Sequence, residues 1–207
     1  MPETEADKQD DVGTEQSHPD SPPVNVPVAS PAPATDATVA DHETRPRRAF
    51  FSFHYKLDRS RAARVRNMGV VEGNAPASDS DWESITKGGD TAIQKWIDDQ
   101  LKGKSCVIVL IGRNTAGRKW INYEIKAGWE SKKAVLGVYI HNLRDRDGNL
   151  SKKGANPFDD FMIGKTKLSS IVKAYDPPYP ESKQVYACIK QNLAKWIENA
   201  IAIREKH

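Results

Sequence analysis

A tryptophan and a glutamate stand four residues apart, Trp120 and Glu124, inside RKWINYEI (118–125). Positions i and i+4 are neighbours on a helix, so the pair would present a ring and a carboxylate together. That combination suits a ligand with a flat ring and hydroxyl groups. A second reading stays open on spacing alone. Glu124 lies beside the expected core stripe Ile121, Ile125, Gly128 and Trp129, and most helix glutamates are simply solvated. His54 and His141 each follow an apolar run, where a histidine could act as general acid or base or contact a phosphate. A polar strand-end residue bonded to a loop is the competing reading for both. His18, His42 and His207 are not candidates, and the five histidines show no metal-ligand spacing. Cys106 and Cys188 make neither a disulfide framework nor a zinc cluster, and both read as structural thiols. Asp145, Asp147 and Gly148 begin like a calcium loop but lack the later glutamate, so they read as a turn. No G-x-S-x-G, P-loop or G-x-G-x-x-G pattern occurs, which removes support for hydrolase elbows, P-loop hydrolysis and ordinary dinucleotide redox binding.

These residues need elements to hold them. AFFSF (49–53), CVIVLI (106–111) and VLGVYI (135–140) are continuous apolar runs, as in strands buried on both faces. Between them, apolar periodicity predicts helices over 57–68, 90–102 and 118–132, and a last one over 182–203. The second has Asp90 or Thr91 to cap its start and Gly103 to end it. A short strand near Val70–Val71 and a weaker one over 168–174 are also expected. Alternating strand and helix predicts an α/β fold, an open parallel sheet with helices on both faces. Ligands of such sheets bind at the carboxyl ends of the strands. That selects Ser52–Asp58, Gly112–Glu124 and His141–Asp147. Trp82, in the polar loop 73–89, has less structural reason to be there than the helix tryptophans.

The chain has 207 residues, and its composition divides near residue 45. Residues 1–45 hold ten acidic and two basic residues, seven of the thirteen prolines and no aromatic residue. Such a segment cannot bury enough apolar surface to offset its ordering entropy and is expected to be disordered. The segment 46–207, expected to be the folded domain, carries a net charge of +11. Nucleic-acid binding is not expected despite that charge. Arg59 and Arg66 fall on one side of their helix, Arg61 and Arg64 on the other, so no basic stripe forms. No run of eighteen apolar residues and no secretory leader is present, which predicts a chain with no membrane span. Few cysteines and no leader predict a reducing, cytoplasmic compartment.

Several segments resemble one family. RRAFFSFHY (47–55) is similar to the first strand and loop of TIR and TIR-like domains. RKWINYEI (118–125) resembles the TIR segment W-x-x-x-E-[IL], with VLIG (109–112) and LGVYIHN (136–142) as flanking strands. With RDRDGN (144–149) and KKGANPFDDF (152–161), the order resembles the TIR-like ThsB proteins of bacterial Thoeris anti-phage defence over about residues 47–175. The resemblance implies a flavodoxin-like fold with a five-stranded parallel sheet. It implies NAD as substrate rather than cofactor, with cleavage of the nicotinamide–ribose bond. A cyclic ADP-ribose isomer would then signal to a partner effector. By position it makes Glu124 catalytic and Trp120 the ring-stacking residue, with Ser52, Phe53 and His54 lining the site. His141 is added from sheet geometry alone, Trp82 and Lys87 align poorly, and no metal is implied. A non-catalytic TIR module that self-associates is the alternative reading, and a nucleotide-binding regulator without chemistry is a third.

Overall fold

The computed structural model describes residues 47–73 and 84–207. The described residues all fall in the second of two units of the chain, Glu43–His207. The disorder expected of residues 1–45 and the question of Trp82 lie outside the described residues.

The second unit is an α/β fold around a five-stranded, wholly parallel sheet. In chain order it contains β1 (Arg48–Phe53), α1 (Tyr55–Arg66), β2 (Glu72–Gly73), α2 (Gly89–Leu101) and β3 (Cys106–Ile111). Then follow α3 (Lys119–Glu130), β4 (Ala134–Tyr139), a 3-10 turn (Pro157–Asp160) and a two-stranded hairpin of β5 (Met162–Ile163) and β6 (Thr166–Lys167). The chain closes with α4 (Leu168–Ile171), β7 (Ala174–Tyr175) and α5 (Ser182–Arg204). The sheet order is β2-β1-β3-β4-β7, the flavodoxin-like arrangement, which reverses direction between β1 and β3.

Two apolar layers flank the sheet because successive strand residues point to opposite faces. Ala49, Phe51, Ile108 and Leu110 pack against Ala62 and Val65 of α1 and Val185, Ile189 and Leu193 of α5. Phe50, Val107, Val109 and Ile111 pack against Ile93 and Ile97 of α2 and Ile121, Ile125 and Trp129 of α3. Every residue of β3 and β4 is buried, as their unbroken apolar runs require. Cys106 belongs to this core, and burial pushes its thiol up to about 12, so it is inert.

Several boundaries differ from the sequence expectations, each for a local reason. Helix α1 starts at Tyr55 because the His54 side chain caps it, accepting from Leu57 N. Helix α2 has Gly88 at its N-cap with no side-chain cap, since Asp90 instead ion-pairs with Lys119 across the helix pair. The segment expected as a strand over 168–174 is a helical turn, Leu168–Ile171, followed by a two-residue strand. There Leu168 and Ile171 insert into the α2/α3 layer, an i,i+3 pattern that a short apolar run conceals.

The approach of α3 to the sheet is set by Gly128. A Cβ there would lie 2.5 Å from Val107 Cγ2. Gly128→Ala is therefore expected to push α3 outward and lower stability by about 1–3 kcal/mol, read as a fall in Tm with loss of any activity that depends on α3.

Candidate active site

Ser52 ends the buried part of β1 on the α2/α3 face, and it is 1% exposed. Its neighbours on that face are apolar, so its hydroxyl needs a partner. The partner is Glu124 on α3: Ser52 Oγ donates to Glu124 Oε2 at 2.5 Å. Serine and carboxylate are 72 residues apart in sequence. They meet at the carboxyl edge of the sheet where the strand order reverses, the place where folds of this topology bind ligands.

Burial dominates the electrostatics of Glu124 and raises its carboxyl pKa to about 8, while the Ser52 hydrogen bond pulls it partly back. The side chain is half-buried and keeps an accessible edge. A carboxyl so poised exchanges protons near neutral pH and gains most from a nearby positive charge. Ser52→Ala removes the bond that favours the ionised form. The variant is expected to move the ionisation of Glu124 upward by about half a unit to one unit. A pH titration of the wild type and the variant, followed by carbonyl-labelled infrared or carboxyl NMR, measures the shift.

Trp120 lies one turn before Glu124 and is half-buried. Its ring meets Tyr123 edge-on at 6.3 Å, and Lys119 Nζ stands 4.8 Å from its centroid. Tyr123 Oη bonds both carboxylate oxygens of Asp98 at 3.0 Å, and Lys119 pairs with Asp90, so α3 is tied twice to α2.

The other residues proposed from the sequence are distributed around this edge. His54 caps α1 through Nδ1, and burial, then Arg118 and Lys56, lowers its pKa, so it is neutral with its proton on Nε2. Phe53 follows Ser52 but points to the opposite face, where it packs on the α1/α5 layer and stacks with Tyr55 at 6.4 Å. His141 follows β4, one strand beyond β3, and meets Tyr139 edge-on at 5.9 Å. Its Nδ1 is buried without a hydrogen-bond partner among the described residues, and burial lowers its pKa. Lys87 is exposed. The structure thus joins Ser52 to Glu124 and brings neither His54 nor His141 into that hydrogen bond.

One group escaped the sequence reading. Asp58 and Arg61 on α1 are 1% and 4% exposed and form a buried ion pair at 3.3 Å. Arg61 also donates to Leu143 O at 2.8 Å, Asn149 O at 2.9 Å and Asp145 Oδ2 at 3.1 Å. Asp145 in turn accepts from Asp147 N and Asn149 N, which makes RDRDGN a closed turn. Asp58 presses on Gly112 just after β3, where a Cβ would lie 2.1 Å from its Oδ2. The signal was the D-x-x-R spacing on one helix face, hidden among four arginines. Gly154 seals the same edge, since its own Cβ would lie 2.1 Å from Gly112 O. ANPFDDF is likewise an anchor: Asn156 caps the 3-10 turn and Phe158 is fully buried.

Residues 50–145, from within β1 to the turn after β4, match the family described as Thoeris protein ThsB, TIR-like domain. This segment is similar to ThsB-type TIR-like domains. The chain is also 39% identical, over 119 residues, to a protein of Bacillus cereus (strain MSX-D12) provisionally named cyclic ADP-D-ribose synthase ThsB1. That alignment covers 55% of this chain and 62% of the relative, so the chain spans less than two thirds of the relative's length. The matched segment contains Ser52, Trp120, Glu124 and the Asp58–Arg61 pair. The RDRDGN turn lies across its carboxyl boundary. Among the described residues, no three His, Cys, Asp or Glu side chains converge on a metal-sized site. No helix among them is long and apolar enough to cross a membrane.

Proposed function

We propose that the chain is an NAD-cleaving enzyme of antiviral defence. It would break the nicotinamide–ribose bond and close the remaining ADP-ribose into a cyclic isomer. The observation that carries this reading is the Ser52–Glu124 pair, a half-buried carboxyl at the β1/β3 switch of a segment similar to ThsB-type TIR-like domains. The name of the Bacillus cereus relative agrees with the class of product.

The chemistry follows from charge. Cleavage passes through an oxocarbenium-like state with positive charge on the ribose. The bond between ribose C1′ and the nicotinamide nitrogen breaks, and its electron pair leaves with neutral nicotinamide, so no strong general acid is needed. The Glu124 carboxylate would accept hydrogen bonds from the ribose hydroxyls and stabilise the developing charge. Substrate enters with a cationic nicotinamide, which favours the ionised form of Glu124. A nucleophile within ADP-ribose then bonds to C1′ and loses its proton to the carboxylate. Exclusion of water at the buried end of the site would favour that internal attack over hydrolysis. Trp120 would stack on the flat ring. The messenger would diffuse in the cytoplasm to a separate effector, and self-association through the TIR-like domain would assemble the active form.

The deciding experiment is mass spectrometry of small molecules from cells expressing wild type or Glu124→Gln, with and without phage challenge. A cyclic ADP-ribose species that needs Glu124 supports the reading. ADP-ribose and nicotinamide without it would make the chain a plain NAD hydrolase. No product that depends on Glu124 would leave the non-catalytic assembly module. Trp120→Ala tests the stacking role: KM for NAD should rise about tenfold, equivalent to about 1.4 kcal/mol. Unchanged steady-state kinetics would remove Trp120 from the site.

A further inference from the structure

At the opposite edge of the sheet, where the strands begin, lies a cavity of about 660 Å³. Arg47, Lys104 and Lys133 reach it from the starts of β1, β3 and β4, Lys132 from the end of α3, and Arg204 from the end of α5. Glu205 is the acidic side chain in this wall. We propose that this cavity is a second binding site, for a small ligand carrying two or three phosphate groups.

Three observations support it. The first is size, since about 300–1,000 Å³ is the ordinary range for a small-molecule pocket. The second is how the cations are held. Arg204 is fixed over the Trp129 ring at 4.3 Å and donates to Trp129 O at 3.2 Å. Glu198 grips Arg47 through two bonds, at 2.7 and 2.9 Å, and Lys133 donates to Lys104 O at 3.0 Å. Lys104 and Lys132 have no ion-pair partner among the described residues. Two uncommitted ammonium groups thus stand beside three pre-positioned cations. Cations near helix ends are explained by the helix dipole, which covers Lys104 just past α2 as well as Lys132 and Arg204, but Arg47 precedes a strand and has no such reason to be there.

The third observation is backbone strain. Lys132 adopts φ +58°, in the left-handed region, and no other non-glycine among the described residues has a positive φ. Helix α2 ends in the usual way, with Gly103 at φ +68°. At the end of α3 a lysine occupies the conformation that favours glycine, and it places an ammonium at the cavity wall. A strained residue retained at a concave, charged surface points to a ligand.

The test is calorimetric titration of the full chain with inorganic tripolyphosphate at low salt, and with sulfate at matched ionic strength. Tripolyphosphate should bind at least tenfold tighter than sulfate, and more weakly as salt rises. Lys132→Gly relieves the strained φ, so its Tm should be no lower than wild type, yet it should bind at least fivefold more weakly. Lys104→Ala should show the same loss. Glu124→Gln, at the other sheet edge, should bind within twofold of wild type whether or not NAD is cleaved there. No heat at millimolar tripolyphosphate, equal affinity for sulfate, or unchanged binding in both lysine variants would overturn the proposal. Loss of binding in Glu124→Gln would also overturn it, by placing the anion in the NAD site.

Discussion

Glu124→Gln is expected to lower the proposed NAD cleavage by about 10³-fold, the scale of removing a group that stabilises transition-state charge, while the protein stays folded. Glutamine keeps the size of the side chain and can still accept the Ser52 hydrogen bond. It cannot carry the negative charge. The wild-type pH profile provides a second test. With its carboxyl raised to about 8, Glu124 is mostly protonated at neutral pH in the free protein. If the carboxylate is the working form, kcat/KM should climb nearly tenfold per pH unit below about 8 and level off above it. A profile that is flat from pH 6 to 9 would mean that Glu124 does not titrate in the step measured.

The same raised pKa makes a stability prediction with a definite sign. The folded state holds a proton on Glu124 that the unfolded chain releases near 4.5, the ordinary value for a glutamate carboxyl. Stability from this group is therefore full below that value and is lost as pH rises toward about 8. The loss is on the order of 3 kcal/mol after discounting for the accessible edge of the side chain. Glutamine has no such dependence. Thermal melts should show Glu124→Gln gaining on wild type from pH 5 to 8, and parallel curves would show the carboxyl to be less enclosed than the structure places it.

Arg61→Ala is expected to be the most damaging substitution for the fold. It would leave the Asp58 carboxylate buried without its cation and strip hydrogen bonds from Leu143 O, Asn149 O and Asp145. Removing one partner of a buried pair costs about 3–5 kcal/mol. At about 2–4 °C per kcal/mol for a chain of this size, Tm should fall by roughly 10 °C. Burial already raises the pKa of Asp58, and Arg61 opposes that rise. Without Arg61 the pKa rises further, so the deficit should widen as pH increases from 4 to 7 and the lone carboxylate ionises. The double variant Asp58→Asn, Arg61→Met should recover part of the loss because it leaves no unpaired charge. A Tm fall of less than about 3 °C for Arg61→Ala would show the pair to be well solvated.

The sheet was legible in the sequence because its central strands are buried on both faces. CVIVLI and VLGVYI admit no amphipathic reading, and their alternation with helical periods leaves few topologies. The helices were legible for the same reason, from their apolar stripes. Their ends were less so, because a cap is a local hydrogen bond that another partner can claim, as Lys119 claims Asp90. The short elements were lost where two or four residues carry too little pattern to show a period, as at Leu168–Ile171.

Glu124 could be singled out from W-x-x-x-E, but residue spacing did not separate a site carboxylate from a solvated one. That distinction belongs to tertiary structure, because it depends on what lies across from the side chain. Strand β1 brings a buried hydroxyl to 2.5 Å from Glu124, and Gly128 lets α3 come close enough to meet it. The Asp58–Arg61 pair and the basic cavity have the same origin. The loop that encloses Arg61 and the cations around the cavity come from distant parts of the chain, and a one-dimensional pattern records charge but not enclosure. The sequence by itself determined the strands, the helix faces and the order that makes a parallel sheet, since hydrophobic periodicity is a local property. Only the tertiary structure decided which charges are buried, which are paired and which face an open cavity, since desolvation is set by neighbours that sequence distance does not reveal.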